Sequence, residues 1–231
     1  MLFRSGLLGC SAIASDPDGA GYWLLNAFRL ATPFGNAQLN PGCTSLNGAM
    51  GSWTGMAVAQ DGHGFWLVSS NGGVLGCGST PAPLGGVTNL TLAAPIVGMA
   101  ATPDRGGYWL VGADGGVFSF GDAHFYGSIG NIRLNSPIVG MAATADGAGY
   151  WLVASDGGVF AFGNATFEGS MGGHRLNAPV VGMAVNPDGP GYWLAASDGG
   201  VFALGGAPYQ GSMGGTALNG PVVGIAARPG T

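Results

Sequence analysis

The chain has 231 residues, of which 11 are acidic and 6 basic, giving a formal net charge of -5. So few Lys and Arg supply no basic surface for nucleic acid, whose binding grows with the number of phosphates neutralised. Mean hydropathy is positive, yet Gly, Asp or Pro cuts every apolar run well short of the roughly 18–20 residues a spanning helix needs.

The 48 glycines and 14 prolines would alone suggest low complexity. They fall instead at fixed places in a repeating unit, and 47 % of residues are hydrophobic, enough for a core. A Tyr-Trp or Phe-Trp pair recurs at Tyr22-Trp23, Phe65-Trp66, Tyr108-Trp109, Tyr150-Trp151 and Tyr192-Trp193, a period of 42–43 residues. Self-similarity near forty residues is the signature of a solenoid or a β-propeller.

The N-terminal MLFRSGLLG lacks the long apolar stretch of a signal peptide. An exported product is therefore expected to be longer than this chain or to lack its leader here. Copy one (10–52) keeps Asp18, Tyr22-Trp23 and Phe34-Gly35-Asn36, but has Ala27-Phe28-Arg29-Leu30 where later copies have a turn. Copy two (53–94) keeps Phe65-Trp66 and Asn71-Gly72-Gly73 and loses the aromatics of its third and fourth runs. Copies three (95–136), four (137–178) and five (179–220) follow one plan closely.

Copy four shows the plan best. Its apolar runs are Ile138–Ala143, Gly149–Ala154, Val159–Phe162 and Phe167–Met171, parted by Ala-Asp-Gly, Ser155-Asp156-Gly157-Gly158 and Gly163-Asn164-Ala165. Asp-Gly and Gly-Gly between short runs of Val, Ile, Phe, Tyr and Trp signal hairpins, because tight primed turns need positive φ. Four such runs predict one four-stranded antiparallel blade. Residues 221–231 begin a sixth first strand, either extra or closing the ring against the N-terminus. The expected fold is all-β: one domain over 1–231, a propeller of about five four-stranded blades, with six left open.

Each Tyr-Trp pair is expected in the core, since successive strand residues face opposite sides and both faces of a blade meet a neighbour. Trp53 lies outside the repeat register. Asp104, Asp146 and Asp188 at the first turn, and Asp114, Asp156 and Asp198 at the second, read as turn residues bonding their own backbone. A calcium site would want six to eight oxygens. Cys10, Cys43 and Cys77 lack metal-ligand spacing; Cys77 takes the place of Phe120 and reads as a small buried hydrophobe, and one disulfide with a spare thiol stays open. Glu168 is the only Glu, the three His occupy different repeat positions, and no nucleophile elbow appears. The chain is expected to be neither an enzyme nor a cofactor carrier.

Variation concentrates in two stretches. One holds His124-Phe125-Tyr126, Thr166-Phe167-Glu168 and Pro208-Tyr209-Gln210; the other holds Asn131-Ile132-Arg133, Gly173-His174-Arg175 and Gly215-Thr216-Ala217. His124, Tyr126, Arg133, Glu168, His174, Arg175, Tyr209 and Gln210 are the candidate ligand-binding residues, forming one shallow pocket per blade at one side.

The phrase Gly-Tyr-Trp-Leu-Val-Ala-Ser-Asp-Gly-Gly-Val-Phe-Ala-Phe-Gly (149–163) resembles a tandem repeat of secreted and cell-wall-associated actinobacterial proteins, often found beside hydrolase or peptidase domains. The resemblance covers 95–228 well and 10–94 loosely. It implies an extracellular array, secreted or at the cell surface, with a propeller shape. The count of five Gly-rich units is also similar, in architecture, to five-bladed lectins of the tachylectin-2 type. The expected function is non-catalytic, lectin-like, multivalent recognition of glycans or cell-envelope polymer. A self-assembling scaffold joined through edge strands, or the accessory propeller of a hydrolase, are the alternatives.

Overall fold

A computed structural model describes residues 2–4, 10–16, 18–26, 31–38, 52–58, 64–78, 80, 82–104 and 106–227. Strand β1 (Leu2–Arg4) is followed by five three-stranded antiparallel sheets. The first sheet is β2 (Cys10–Ser15), β3 (Gly21–Asn26) and β4 (Ala31–Gly35), and the second is β5 (Trp53–Val58), β6 (Gly64–Ser69) and β7 (Val74–Gly78). The third contains β8 (Ile96–Ala101), β9 (Gly107–Gly112) and β10 (Val117–Gly121), and the fourth β11 (Ile138–Ala143), β12 (Gly149–Ala154) and β13 (Val159–Gly163). The fifth is β14 (Val180–Val185), β15 (Tyr192–Ala196) and β16 (Val201–Leu204); β17 (Val222–Ile225) then pairs antiparallel with β1. The fold is all-β.

The turns form where the sequence marks them. Between second and third strands, the Asp114, Asp156 and Asp198 carboxylates accept from the N–H of Gly116, Gly158 and Gly200 at 2.9–3.0 Å. Between first and second strands, Asp104 and Asp146 accept from Gly106 N and Ala148 N at 3.1 Å. At 188 the roles shift, and Asn186 Oδ1 accepts from the Asp188 N–H.

A difference from the sequence reading lies in the fourth run. Phe125–Ser128, Phe167–Met171 and Tyr209–Met213 join no ladder. Each contains a glycine at positive φ: Gly127 at 133°, Gly169 at 115° and Gly211 at 106°. These angles turn the chain out of pleated geometry. The segments are instead held from the side. The Trp109, Trp151 and Trp193 indole N–H groups donate at 2.8 Å to the carbonyls of His124, Thr166 and Pro208, in each case 15 residues further along.

The cores lie between sheets. Trp23 meets Phe65 with ring centroids 6.2 Å apart, Trp66 meets Tyr108 at 5.8 Å, Trp109 meets Tyr150 at 5.6 Å and Trp151 meets Tyr192 at 6.0 Å. The tryptophan of one copy therefore packs on the tyrosine or phenylalanine of the next. Cys77 is buried opposite Phe65 in the aromatic's register position. Cys43 lies outside the described residues. Trp53 occupies the first-strand position held elsewhere by Ile96 and Ile138, buried in the core of the first two sheets, and its indole N–H has no hydrogen-bond partner among the described residues.

First strands adjoin one another in a closed circuit: β2, β5, β8, β11, β14, β17 and back to β2. They enclose a central cavity of about 410 Å³ lined by groups such as Ser11, Thr54, Val97 and Val139. A repeated joint fixes the step from sheet to sheet. The N–H of Ile96, Ile138, Val180 and Val222 donates to the second turn of the preceding sheet, at Ser70, Ala113, Ser155 and Ser197.

Candidate functional site

In copies two, three and four the extended segment after the third strand is held by a tyrosine hydroxyl. The Tyr150 hydroxyl donates to Gly127 O at 2.6 Å and accepts from the Tyr126 N–H at 3.2 Å. Tyr192 does the same to Gly169 O (2.5 Å) and the Glu168 N–H (3.2 Å), and Tyr108 donates to Gly85 O at 2.7 Å. Burial raises the phenol pKa of all three tyrosines, which keeps them neutral donors. The segments of copies three and four are thus clamped by the tryptophan of their own copy and the tyrosine of the next.

Alternation along the clamped segment decides which side chains are free. Tyr126 turns inward: its hydroxyl donates to Gly147 O at 3.1 Å, and its ring lies 5.8 Å from Tyr150 and 6.5 Å from Trp109. Glu168 is half-buried and lies over Gly205 of the next sheet. His124 is exposed, its ring edge-on to Tyr126 at 5.1 Å. Tyr209 is 63 % exposed and Gln210 is exposed too.

Arg133, His174 and Arg175 are exposed but sit elsewhere. The segment runs from the end of the third strand to the second turn, where Ile129, Met171 and Met213 donate to Gly115, Gly157 and Gly199. The two variable stretches therefore flank opposite ends of the strands, about 17 Å apart for five residues at ~3.4 Å each. Arg133 lines a shallow groove of about 340 Å³ with Asp114, Ile132 and Asn135. The eight candidates do not form one pocket per sheet at one side. His124, Tyr126, Glu168, Tyr209 and Gln210 make one set, and Arg133, His174 and Arg175 another.

The sequence reading passed over Phe125 and Phe167. They are 52 % and 57 % exposed, in the register of Tyr209. Three consecutive sheets thus present an exposed aromatic side chain at one equivalent position. The signal was the middle residue of each variable triplet, which stays aromatic while its neighbours change.

One electrostatic feature singles out the third sheet. Asn36 bonds Asp18, and Asn164 Nδ2 donates to Asp146 Oδ2 at 2.7 Å; the third copy has Asp122 in the asparagine's place, against Asp104. Burial and then the Asp104 charge push the Asp122 carboxyl up, while hydrogen bonds from Thr102 and the Gly106 N–H hold Asp104 down.

No family model matches the chain, and no curated protein does. Among solved structures it is similar to a structural-genomics protein of unknown function from Bacteroides thetaiotaomicron, with a TM-score of 0.63 and 12 % identity over 96 % of this chain. The chain spans 65 % of that protein's length. At that identity the likeness concerns the fold alone.

Proposed function

We propose that the chain is a β-propeller with six positions around its axis, five of them filled by three-stranded blades and the sixth by β17 with β1, and that its rim is a non-catalytic recognition surface for glycans or cell-envelope polymer. The circuit of first strands and the repeated joint support the propeller. The row of Phe125, Phe167 and Tyr209, each more than half exposed, is the observation that carries the functional reading. An aromatic face stacks well on the apolar face of a sugar ring, and the nearby His124, Glu168 and Gln210 supply polar contacts. Each site is shallow and weak by itself. Equal sites on a rigid ring raise apparent affinity by ~10²–10⁴ where the ligand repeats at a matching spacing. Such a surface suits a secreted or cell-surface protein.

Calorimetry against soluble glycan oligomers, with a glycan array to choose them, tests the reading. Binding should strengthen with oligomer length and fall at least tenfold in Phe125→Ala/Phe167→Ala/Tyr209→Ala, whose melting temperature should stay near that of the parent. Absence of binding at millimolar glycan, or binding indifferent to the triple substitution, would overturn it.

A further inference from the structure

Four copies build the same loop beside the second turn, on the way to the next first strand. The N–H groups of Val87, Ile129, Met171 and Met213 donate to the carbonyls of Gly72, Gly115, Gly157 and Gly199. Three residues on, the N–H groups of Leu90, Ile132, His174 and Thr216 donate back to the carbonyls of Val87, Ile129, Met171 and Met213 at 2.9–3.0 Å. Backbone bonds thus hold the loop whatever side chains it carries. Leu134 and Leu176 turn inward and pack on the sheet cores, while the residues on either side of each leucine are exposed.

The outward positions vary in a way the loop does not require. Before the leucine stand Thr91, Arg133, Arg175 and Ala217; after it stand Ala93, Asn135, Asn177 and Asn219. Asparagine in a bend is ordinarily explained by local geometry. Ala93 occupies the same bend in copy two, so the backbone does not call for an amide. The side chains of Arg133, Asn135, Arg175 and Asn177 make no hydrogen bond or ion pair with the described residues. Two of the chain's six basic residues therefore stand without a counter-charge at one equivalent position in adjacent copies. In the third copy Arg133 and Asn135 share the groove of about 340 Å³ with Asp114. Asp114 uses Oδ1 to accept from the Gly116 N–H, which leaves Oδ2 as a further acceptor. Asp156 does the same toward Gly158 beside Arg175 and Asn177 of the fourth copy.

We propose that these loops of the third and fourth copies each bind one uronate unit of an acidic polysaccharide. The guanidinium of Arg133 or Arg175 takes the sugar carboxylate as a two-pronged fork. Ring hydroxyls donate to Oδ2 of Asp114 or Asp156, and the amide of Asn135 or Asn177 both donates to the sugar and accepts from it. A simple anion would meet the aspartate, and a neutral sugar would leave the arginine without a partner. A carboxylated sugar satisfies all three groups. Equivalent loops on adjacent sheets suit a ligand that itself repeats. The groove lies at the opposite end of the strands from Phe125, Phe167 and Tyr209, and that aromatic row takes no part in it.

Calorimetric titration of the full chain with an α-1,4-linked galacturonate hexamer tests the proposal, with the fully methyl-esterified hexamer as the uncharged control. Saturable binding of the acid is expected, with binding of the ester at least tenfold weaker, the loss of charge-assisted hydrogen bonds. Arg133→Gln/Arg175→Gln should weaken binding of the acid at least tenfold while the melting temperature stays near that of the parent. If that variant does not fold by circular dichroism, Asn135→Ala/Asn177→Ala decides, by a loss of at least threefold; alanine is the residue copy two already has there. No saturable binding at millimolar acid, equal binding of the ester, or indifference to the substitutions would each overturn it. Displacement of the acid by equimolar free alanine would place a zwitterion in the groove and overturn it as well. Binding of neutral glycans by the exposed aromatic row is a separate readout, so the two readings fail independently.

Discussion

Asp122 and Asp104 form a carboxyl pair where two other copies place an asparagine against an aspartate. A carboxyl whose pKa rises on folding contributes stability that is present below its unfolded value near 4 and is lost as pH climbs through the raised value. Asp104, held down, contributes above its unfolded value and loses that contribution as pH falls through the lowered one. At neutral pH the pair is then two like charges, and Asp122→Asn should raise the melting temperature at pH 7 by an amount that shrinks below pH 4. Melts showing the same difference at pH 7 and pH 3.5 would mean the pair does not titrate on folding. Tyr150→Phe, which leaves Gly127 O and the Tyr126 N–H without their partner, should cost about 1–2 kcal/mol in urea unfolding with the slope unchanged. That the Tyr-Trp pairs belong to the core was legible, because alternation requires both faces of a strand between two sheets to be apolar. That Tyr126 is clamped while Phe125 is free was not legible, since it depends on which carbonyl an indole 15 residues upstream selects.

At the scale of strands, the glycine common to β5, β8, β11 and β14 is not equally needed in each. A methyl at Gly55 would stand 3.0 Å from Val68 Cγ1 and 3.1 Å from Gly98 Cα, whereas at Gly140 it meets only Val153 Cγ1 at 3.8 Å. The first sheet already carries Ala12 at the equivalent register position. Gly140→Ala is expected to be neutral or to stabilise by up to about 1 kcal/mol, and Gly55→Ala to destabilise by about 1–3 kcal/mol. Chemical denaturation of the two variants reads the contrast, and equal effects would sink it. Three strands per copy were readable because turn residues bracket them, Asp-Gly at both turns in copies four and five. The fourth run has the right residue types, and only the φ of its internal glycine removes it from the sheet. Composition cannot report that angle.

For the molecule as a whole, closure rests on a short terminal ladder. Deleting residues 222–231 removes the neighbour shared by β2 and β14. Amide exchange should then accelerate in both of those strands, at opposite ends of the chain, and much less in β8. Acceleration confined to β14 would mean that β17 does not couple the two ends. The period counted the copies, but the separation of Arg133, His174 and Arg175 from Tyr209 and Gln210 became visible only with the chain's path along the rim. The tyrosines that clamp the segments of copies two, three and four belong to the following copy, so the structural unit is offset from the sequence unit. A duplication of a 42-residue window, wherever its breakpoints fall, either holds a whole clamp or restores the cut one at the tandem junction. Growth of such an array by unequal recombination is thus insensitive to phase, and the closely similar third, fourth and fifth copies are what that freedom would leave behind.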